Sequence, residues 1–172
     1  MATNTLKQAQ ERWKQLSETI QNMSTINAAE TKATQIARIE RARKDYAYFV
    51  EYYYPHYCTD RETGKVTPSA KFHIEAAKKI LKTRDLKAVF KWARGHAKST
   101  HMDVMIPMWL MCQKQRQIHV MVLVGKSEDN AKTLLGDIQA ELQYNKRYIH
   151  DFGPQYNAGN WQDGEFVTRN GV

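Results

Sequence analysis

Apolar residues near the N-terminus recur every three or four positions, a spacing that places them on one face of a helix. The spacing predicts one helix that ends at the polar stretch 22–27 and a second that stops at Pro55. Asn27 and Glu30 match a capping box, which favours a helix start between the two stripes. The stripes comprise Leu6, Ala9, Trp13, Leu16, Ile20 and Met23, then Ile39, Ala42, Tyr46, Phe49 and Tyr53. We therefore predict an N-terminal antiparallel helical hairpin, either a plain helical subdomain or an arm for oligomerisation or partner docking.

After Pro68 the pattern changes to alternating short apolar runs and amphipathic stretches. The predicted elements are a helix over 72–81, a strand over 86–92 (LKAVFKW), a helix from about 98 to 112, a strand over 117–124 (QIHVMVLV) and a helix capped by Ser127 that runs to about Tyr144. Strand and helix in alternation predict an α/β fold with a parallel sheet covered by helices. We expect a helical arm over residues 1–60 and an α/β domain over 61–172.

The end of the chain carries a hairpin signal. Glu165–Arg169 reads as a strand, and Asn170-Gly171 is a strong turn signal. The return strand would have to follow Val172. We therefore expect this chain to be the N-terminal part of a longer protein.

The net charge of +8 is concentrated in one part of the chain. Residues 61–100 hold eleven Lys and Arg against three Asp and Glu, whereas the segments on either side are nearly balanced. A basic stripe of this kind favours a polyanion partner, either nucleotide phosphates or nucleic acid. No apolar run reaches membrane-spanning length, so we expect no membrane partner.

The stretch WARGHAKSTH, residues 92–101, has the chemistry of a phosphate-binding loop. Such a loop needs backbone N–H groups aimed at phosphate, a lysine and a Mg²⁺-side hydroxyl at a helix start. Gly95 allows a close backbone approach, Lys98 supplies the lysine and Ser99 the hydroxyl. Arg94 adds a cation able to bind a γ-phosphate in bidentate fashion. Ala97 stands where glycine normally gives the loop its freedom.

A second candidate, Gly125-Lys126-Ser127, also precedes a predicted helix. Its apolar run reaches Gly125 directly and leaves no loop residues to surround a phosphate. Glu128 and Asp129 follow at once and would repel an anion. We interpret this stretch as a turn in which Ser127 caps the helix.

The string R-G-H-A-K-S-T, residues 94–100, resembles the deviant Walker A motif of phage terminase large subunits, the ATPase motors that package viral DNA. The flanking strings YAYFVEYYYPHY, SAKFHIEAAKKIL and IHVMVLVGKSEDNAKTLLGDIQAEL are similar to the family in their order, so the resemblance spans about residues 45–172. Ala97 departs from the family's usual glycine, which puts nucleotide affinity in doubt.

The resemblance implies a P-loop NTPase core of the RecA-like, additional-strand (ASCE) type, incomplete in this chain. It implies ATP and Mg²⁺ as cofactors, with Ser99 on the metal and Arg94 and Lys98 in catalysis. The implied ATP-binding residues are Arg94, Gly95, His96, Ala97, Lys98, Ser99 and Thr100, with His73 a candidate for contact with the base.

The resemblance also implies parts of the motor beyond Val172, namely a Walker B strand, a catalytic glutamate and a nuclease domain. We therefore expect the full-length parent to be an ATPase and this chain alone to hydrolyse ATP poorly. The implied partners are double-stranded DNA, a terminase small subunit, a portal protein and further copies in a ring. The implied location is the host cytoplasm, and transiently the procapsid portal.

Two other functions fit the same residues. A helicase-type translocase shares the order of strand, loop and motif. A non-catalytic module that binds nucleic acid or a protein partner would use the basic segment 61–100 and the helical hairpin. ATP binding that is lost in Lys98→Ala separates the module from both enzymes.

Overall fold

The structure is a computed structural model that describes residues 2–60, 62–115 and 117–172, with side chains from Lys7 onward. Its helices are α1 (Ala2–Met23), α2 (Lys32–Lys44), α3 (Tyr46–Tyr53), α4 (Pro55–Cys58), α5 (Lys71–Lys82), α6 (Ile106–Met111), α7 (Glu128–Tyr144) and α8 (Lys146–Phe152). A π-helical segment covers Thr100–Met105, and the strands are β1 (Trp161–Gln162) and β2 (Glu165–Phe166). Among the helices of the described residues, none is long and apolar enough to cross a bilayer.

The predicted α/β fold with a parallel P-loop sheet is wrong. The described chain is 56% helical, and its sheet consists of two antiparallel strands, β1 and β2. Residues 86–92 and 117–124 belong to no strand of the described structure. Burial still alternates over 89–92 and 120–124, since Phe90 and Trp92 are half-buried and the valines are exposed. The alternation identified segments that favour an extended backbone, but a sheet also needs a hydrogen-bonded neighbour.

The chain forms two compact units. One comprises the chain up to Ala28 together with His119–Val172, and the other comprises Ala29–Ile118. In the first unit α1 lies along α7: Arg12 Nη2 donates to Asp137 Oδ2 at 2.8 Å, and the rings of Trp13 and Tyr144 meet edge to face at 5.5 Å. The Oγ of Ser24 accepts a hydrogen bond from the N–H of Lys146 at 3.0 Å.

The predicted N-terminal hairpin is also wrong. Its two arms belong to different units, and α1 packs against α7. The second arm is broken at Asp45, which ends α2 and caps α3 by accepting from the N–H of Tyr48. Periodicity correctly identified helical faces, but it does not specify the partner of each face. The predicted division into residues 1–60 and 61–172 stays a prediction.

In the second unit an aromatic core anchors the helix that follows the loop. Tyr46, Phe49 and Tyr53 of α3 are fully buried. Trp109 of α6 donates its indole N–H to the carbonyl of Ala42 at 2.9 Å and meets the ring of Tyr46 edge to face. These contacts fix the position of α6, and therefore of the helical residues that precede it.

The helix after the loop runs over residues 98–111, as the sequence predicts, but its first part is π-helical. Pro107 explains this widening. It has no N–H, and its ring would clash with the carbonyl of Asp103 in a regular α-helix. A π-helical segment before the proline relieves that clash.

Candidate functional site

The loop over residues 93–97 is solvent-exposed and contains two left-handed residues. Gly95 has φ 83° and Ala97 has φ 48°. Glycine adopts a left-handed backbone readily, so this conformation costs little at Gly95. At Ala97 the Cβ atom makes the same conformation cost about 1–2 kcal/mol. Ala97 therefore keeps the backbone conformation for which a glycine is usually selected. Strained residues of this kind cluster at binding sites.

Ala97 also stands where the helix begins. Its carbonyl accepts from the N–H of His101 at 3.0 Å, which closes the first helical turn. Lys98, Ser99 and Thr100 occupy that turn, where backbone N–H groups have no carbonyl one turn earlier. Alanine has no side-chain oxygen with which to cap them. The helix start therefore offers several N–H groups to an anion, beside the exposed lysine.

Asp103 lies next to the predicted magnesium-side hydroxyl. Burial raises the pKa of Asp103, while the Ser99 side chain and the Lys98 ammonium lower it. Sequence reasoning missed Asp103, although it lies four residues after Ser99 and so on the same helical face. The pair places one hydroxyl and one carboxylate beside the lysine.

These two oxygen ligands are fewer than a protein needs to hold a free metal ion. Over the described ranges, no three His, Cys, Asp or Glu side chains group as a metal site. Magnesium that arrives with a nucleotide differs, because phosphates and waters supply most of its ligands. Ser99 and Asp103 are chemically suited to that second case.

His73 ties α5 to the loop. Its Nδ1 accepts a hydrogen bond from the N–H of Ala70 at 3.1 Å, so we assign the ring proton to Nε2. His73 Nε2 then donates to the carbonyl of His96 at 2.9 Å. This bond holds the peptide between His96 and the left-handed Ala97. The predicted contact of His73 with a nucleotide base stays a prediction, and the side chain is buried beneath the loop.

A second buried histidine supports the first. His101 stacks on His73 with ring centroids 3.7 Å apart, and its Nδ1 lies 2.8 Å from the hydroxyl of Tyr46. Burial and then the neighbouring His73 lower the pKa of His101 to about 4. Burial also lowers the pKa of His73. Both rings are therefore neutral at neutral pH, and the support adds no charge to the loop.

Two aromatic residues complete this support. The rings of Phe72 and Trp92 lie 5.2 Å apart, and Trp92 meets the ring of His73 at 5.0 Å. His96 is exposed, and its Nδ1 lies 3.1 Å from the carbonyl of Ala93. Arg94 is exposed and makes no ion pair or hydrogen bond with any residue that the structure describes. The loop thus has a packed base and an open, cationic outer side.

The second Gly-Lys-Ser string is a helix cap, as interpreted from the sequence. The Oγ of Ser127 accepts from the N–H of Asn130 at 3.3 Å. At Gly125 an added Cβ would lie 2.8 Å from the nitrogen of Ala131, so this glycine is pressed against the start of α7. With Ser127 as the cap and two acids behind it, this turn is poorly suited to a phosphate.

Comparison of the chain with protein-family models, with curated proteins and with solved structures gives no match.

Proposed function

We propose that residues 93–100 bind the phosphates of ATP with Mg²⁺, and that the chain contributes this site to a DNA-packaging ATPase of the terminase large-subunit kind. The observation that carries the proposal is the left-handed pair Gly95 and Ala97 directly before a helix start. The proposal depends on this loop and its helix, not on a parallel sheet. The string R-G-H-A-K-S-T is the reason for naming the class of motor.

Each side chain of the loop has a distinct role in the proposal. Lys98 neutralises the terminal phosphates, and the N–H groups of Lys98 to Thr100 donate to phosphate oxygens. Ser99 and Asp103 complete the shell of a magnesium ion that the phosphates hold. Arg94 approaches from the exposed side and stabilises the charge that develops when the γ-phosphoryl bond breaks.

The basic surface around the loop agrees with a polyanion substrate. Lys78, Lys79 and Lys82 of α5 are exposed, as are Lys87 and Lys91 after it. In a packaging motor, cations of this kind would bind the DNA phosphates. They would also serve a non-catalytic nucleic-acid module, so the test must separate nucleotide binding at the loop from general anion binding.

The test compares two lysines that follow glycine-containing turns. Mg²⁺-ATP binding is measured by calorimetry on wild type, Lys98→Ala and Lys126→Ala. Both variants lose one exposed positive charge, so both lower the net charge of the chain equally. We expect Lys98→Ala to weaken binding by about tenfold or more, as for a charge-assisted contact of roughly 1.5–3 kcal/mol. Lys126→Ala should bind like the wild type.

Equal, small losses in both variants would indicate general anion binding and would favour the nucleic-acid module. No measurable ATP binding by the wild type would overturn the proposal. Turnover of bound ATP is a separate measurement. Arg94→Ala should reduce turnover in a full-length motor by orders of magnitude while nucleotide affinity falls only modestly.

A further inference from the structure

The helix that follows the loop gains one residue between its first turn and Ile106. At its start the N–H of His101 donates to the carbonyl of Ala97, four residues earlier, as in an α-helix. The N–H of Ile106 donates to the carbonyl of His101, five residues earlier, as in a π-helix. The π-helical segment over Thr100–Met105 therefore holds one residue more than a regular turn, directly after the helix start.

The extra residue brings His101 and Trp109 to the same face of the helix. In a regular α-helix a separation of eight residues places two side chains about 80° apart around the axis, whereas seven residues leave them about 20° apart. Because the π-helical segment absorbs one residue, His101 has the angular position of the seventh residue before Trp109. Both rings accordingly contact the ring of Tyr46, with centroid distances of 5.9 Å for His101 and 5.2 Å for Trp109.

The C-terminal end of this helix is fixed by hydrogen bonds with α2. Arg43 Nε donates to the carbonyl of Cys112 at 2.7 Å, beside the bond from Trp109 to the carbonyl of Ala42. The start of the helix is held by the ring stacking of His101, and the loop residues before it are exposed. A change of register in the π-helical segment would therefore turn the start of the helix and leave α6 in place.

Pro107 is the reason for the extra residue, since its ring would meet the carbonyl of Asp103 in a regular α-helix. Alanine at this position restores the N–H and removes the clash, so the regular α-helical ladder becomes available. That ladder turns every residue before the segment by about 100° around the axis. The ring of His101 then leaves His73, and Lys98 leaves its place beside the loop.

We propose that Pro107, through the π-helical segment, is a positioning residue for the phosphate site at residues 93–100. It sets the angle at which Lys98 and the first N–H groups of the helix face the loop. The inference rests on the proposed function, because it concerns the geometry of the same site. It predicts that binding and stability separate: loss of Pro107 weakens binding, although helix propensity favours alanine over proline.

The test measures Mg²⁺-ATP affinity by calorimetry, and stability by urea unfolding, on wild type, Pro107→Ala and Pro55→Ala. Pro55 is the matched control, because it starts α4, where its missing N–H breaks no helical hydrogen bond. We expect Pro107→Ala to weaken ATP binding about tenfold or more, as for the loss of Lys98, while its stability falls no more than that of Pro55→Ala. Pro55→Ala should bind ATP like the wild type.

A deletion supplies the rescue. Deletion of Met102 in Pro107→Ala removes one residue between His101 and Trp109, so a regular α-helix again places the two rings on one face. We expect this double variant to regain an ATP affinity within about threefold of the wild type. A role of Pro107 in stability alone predicts the opposite, because a second change in the helix would then weaken binding further.

Nuclear Overhauser effects between the rings of Tyr46 and His101 report the register directly. We expect them in the wild type and the double variant, and their loss in Pro107→Ala. Ring contacts that persist in Pro107→Ala would overturn the proposal, as would wild-type ATP affinity in a variant that has lost them.

A double variant that does not regain affinity would also overturn the proposal, as would a Pro107→Ala chain that does not fold. A wild type that binds no ATP would overturn the proposed function instead. The ring contacts would then still decide whether Pro107 sets the register of the helix.

Discussion

At the scale of single residues, Ala97 is the strained position of the loop. It stands where the motif normally has a glycine. In the structure it keeps the left-handed backbone at φ 48°, and His73 holds the adjacent peptide through the carbonyl of His96. The strain at one residue is thus offset by a hydrogen bond from another helix.

This arrangement predicts a positioning role for His73, given phosphate binding at the loop. His73→Phe keeps an aromatic ring against His101 but removes the donor to His96 and the acceptor of the Ala70 N–H. Loss of the bond to the loop, worth about 0.5–1.5 kcal/mol, should lower ATP affinity roughly 2- to 13-fold. Calorimetry on the folded variant measures the loss, and circular dichroism confirms that it folds.

Tyr46→Phe is the matched control for His73→Phe. It removes a different hydrogen bond of the same cluster, between Tyr46 and His101 Nδ1, and leaves the bond from His73 to the loop in place. We expect some destabilisation in unfolding experiments, though less than in His73→Phe, which loses two hydrogen bonds, and wild-type ATP affinity. An affinity loss of the same size in both variants would mean that His73 acts only through general stability.

Lys98 and Ser99 could be placed at a helix start from the sequence, because a loop of small and polar residues precedes a long apolar helix. Asp103 and His101 could not be placed. Their positions depend on the π-helical segment before Pro107 and on the stacking of two histidines that lie far apart in the chain. Local sequence patterns identify residues with suitable chemistry, whereas the contacts between residues that are distant in the chain depend on tertiary packing.

At the scale of elements, two helices were predicted well, whereas the start predicted from Asn27 and Glu30 was wrong, because α2 begins after Thr31, whose side chain accepts from the N–H of Thr34. Helix α7 begins after its Ser127 cap and ends at Tyr144, as the cap and the apolar spacing indicate. Helix α5, over Lys71–Lys82, agrees with the predicted stretch of 72–81. The strand predictions over 86–92 and 117–124 failed because a helix satisfies its own backbone, whereas a strand depends on a partner.

Helix α7 offers a test of its packing on α1. Gly136 lies in its interior, and an added Cβ there would meet only Trp13 Cδ1, at 3.9 Å. Gly136→Ala should therefore raise the free energy of unfolding by about 0.5–1 kcal/mol, through helix propensity and a smaller unfolded-state entropy. Urea unfolding followed by circular dichroism measures the change.

Gly125→Ala is the contrasting control, because its Cβ would meet the Ala131 nitrogen at 2.8 Å and should destabilise the protein. A loss of stability in Gly136→Ala would contradict the observed space between α1 and α7.

At the scale of the whole molecule, the pairing of distant segments is the part that sequence reasoning missed. Arg12 bonds to Asp137, 125 residues away in the chain, and nothing in the sequence around either residue predicts this pairing. The stripe on α1 was visible in the sequence, but any apolar face could have covered it. The hairpin was the economical choice because it needs the shortest connection.

The charge of the whole chain bears on how the central claim must be tested. With +8 net charge and most of the excess in residues 61–100, many anions will bind weakly somewhere on the surface. An affinity alone does not locate the site. The decisive observation must report which backbone N–H groups the phosphate reaches.

Amide chemical shifts in a ¹⁵N-labelled sample, titrated with Mg²⁺-ATP at physiological ionic strength, provide that observation. If the loop binds phosphate, the largest and saturable shifts will fall on the N–H groups of residues 95–100. Lys98→Ala will move their midpoint to an ATP concentration about tenfold higher or more, while Lys126→Ala leaves the midpoint unchanged. Shifts spread over the lysines of α5 with the loop unaffected, or shifts at residues 95–100 whose midpoint is the same in Lys98→Ala as in the wild type, would contradict the account.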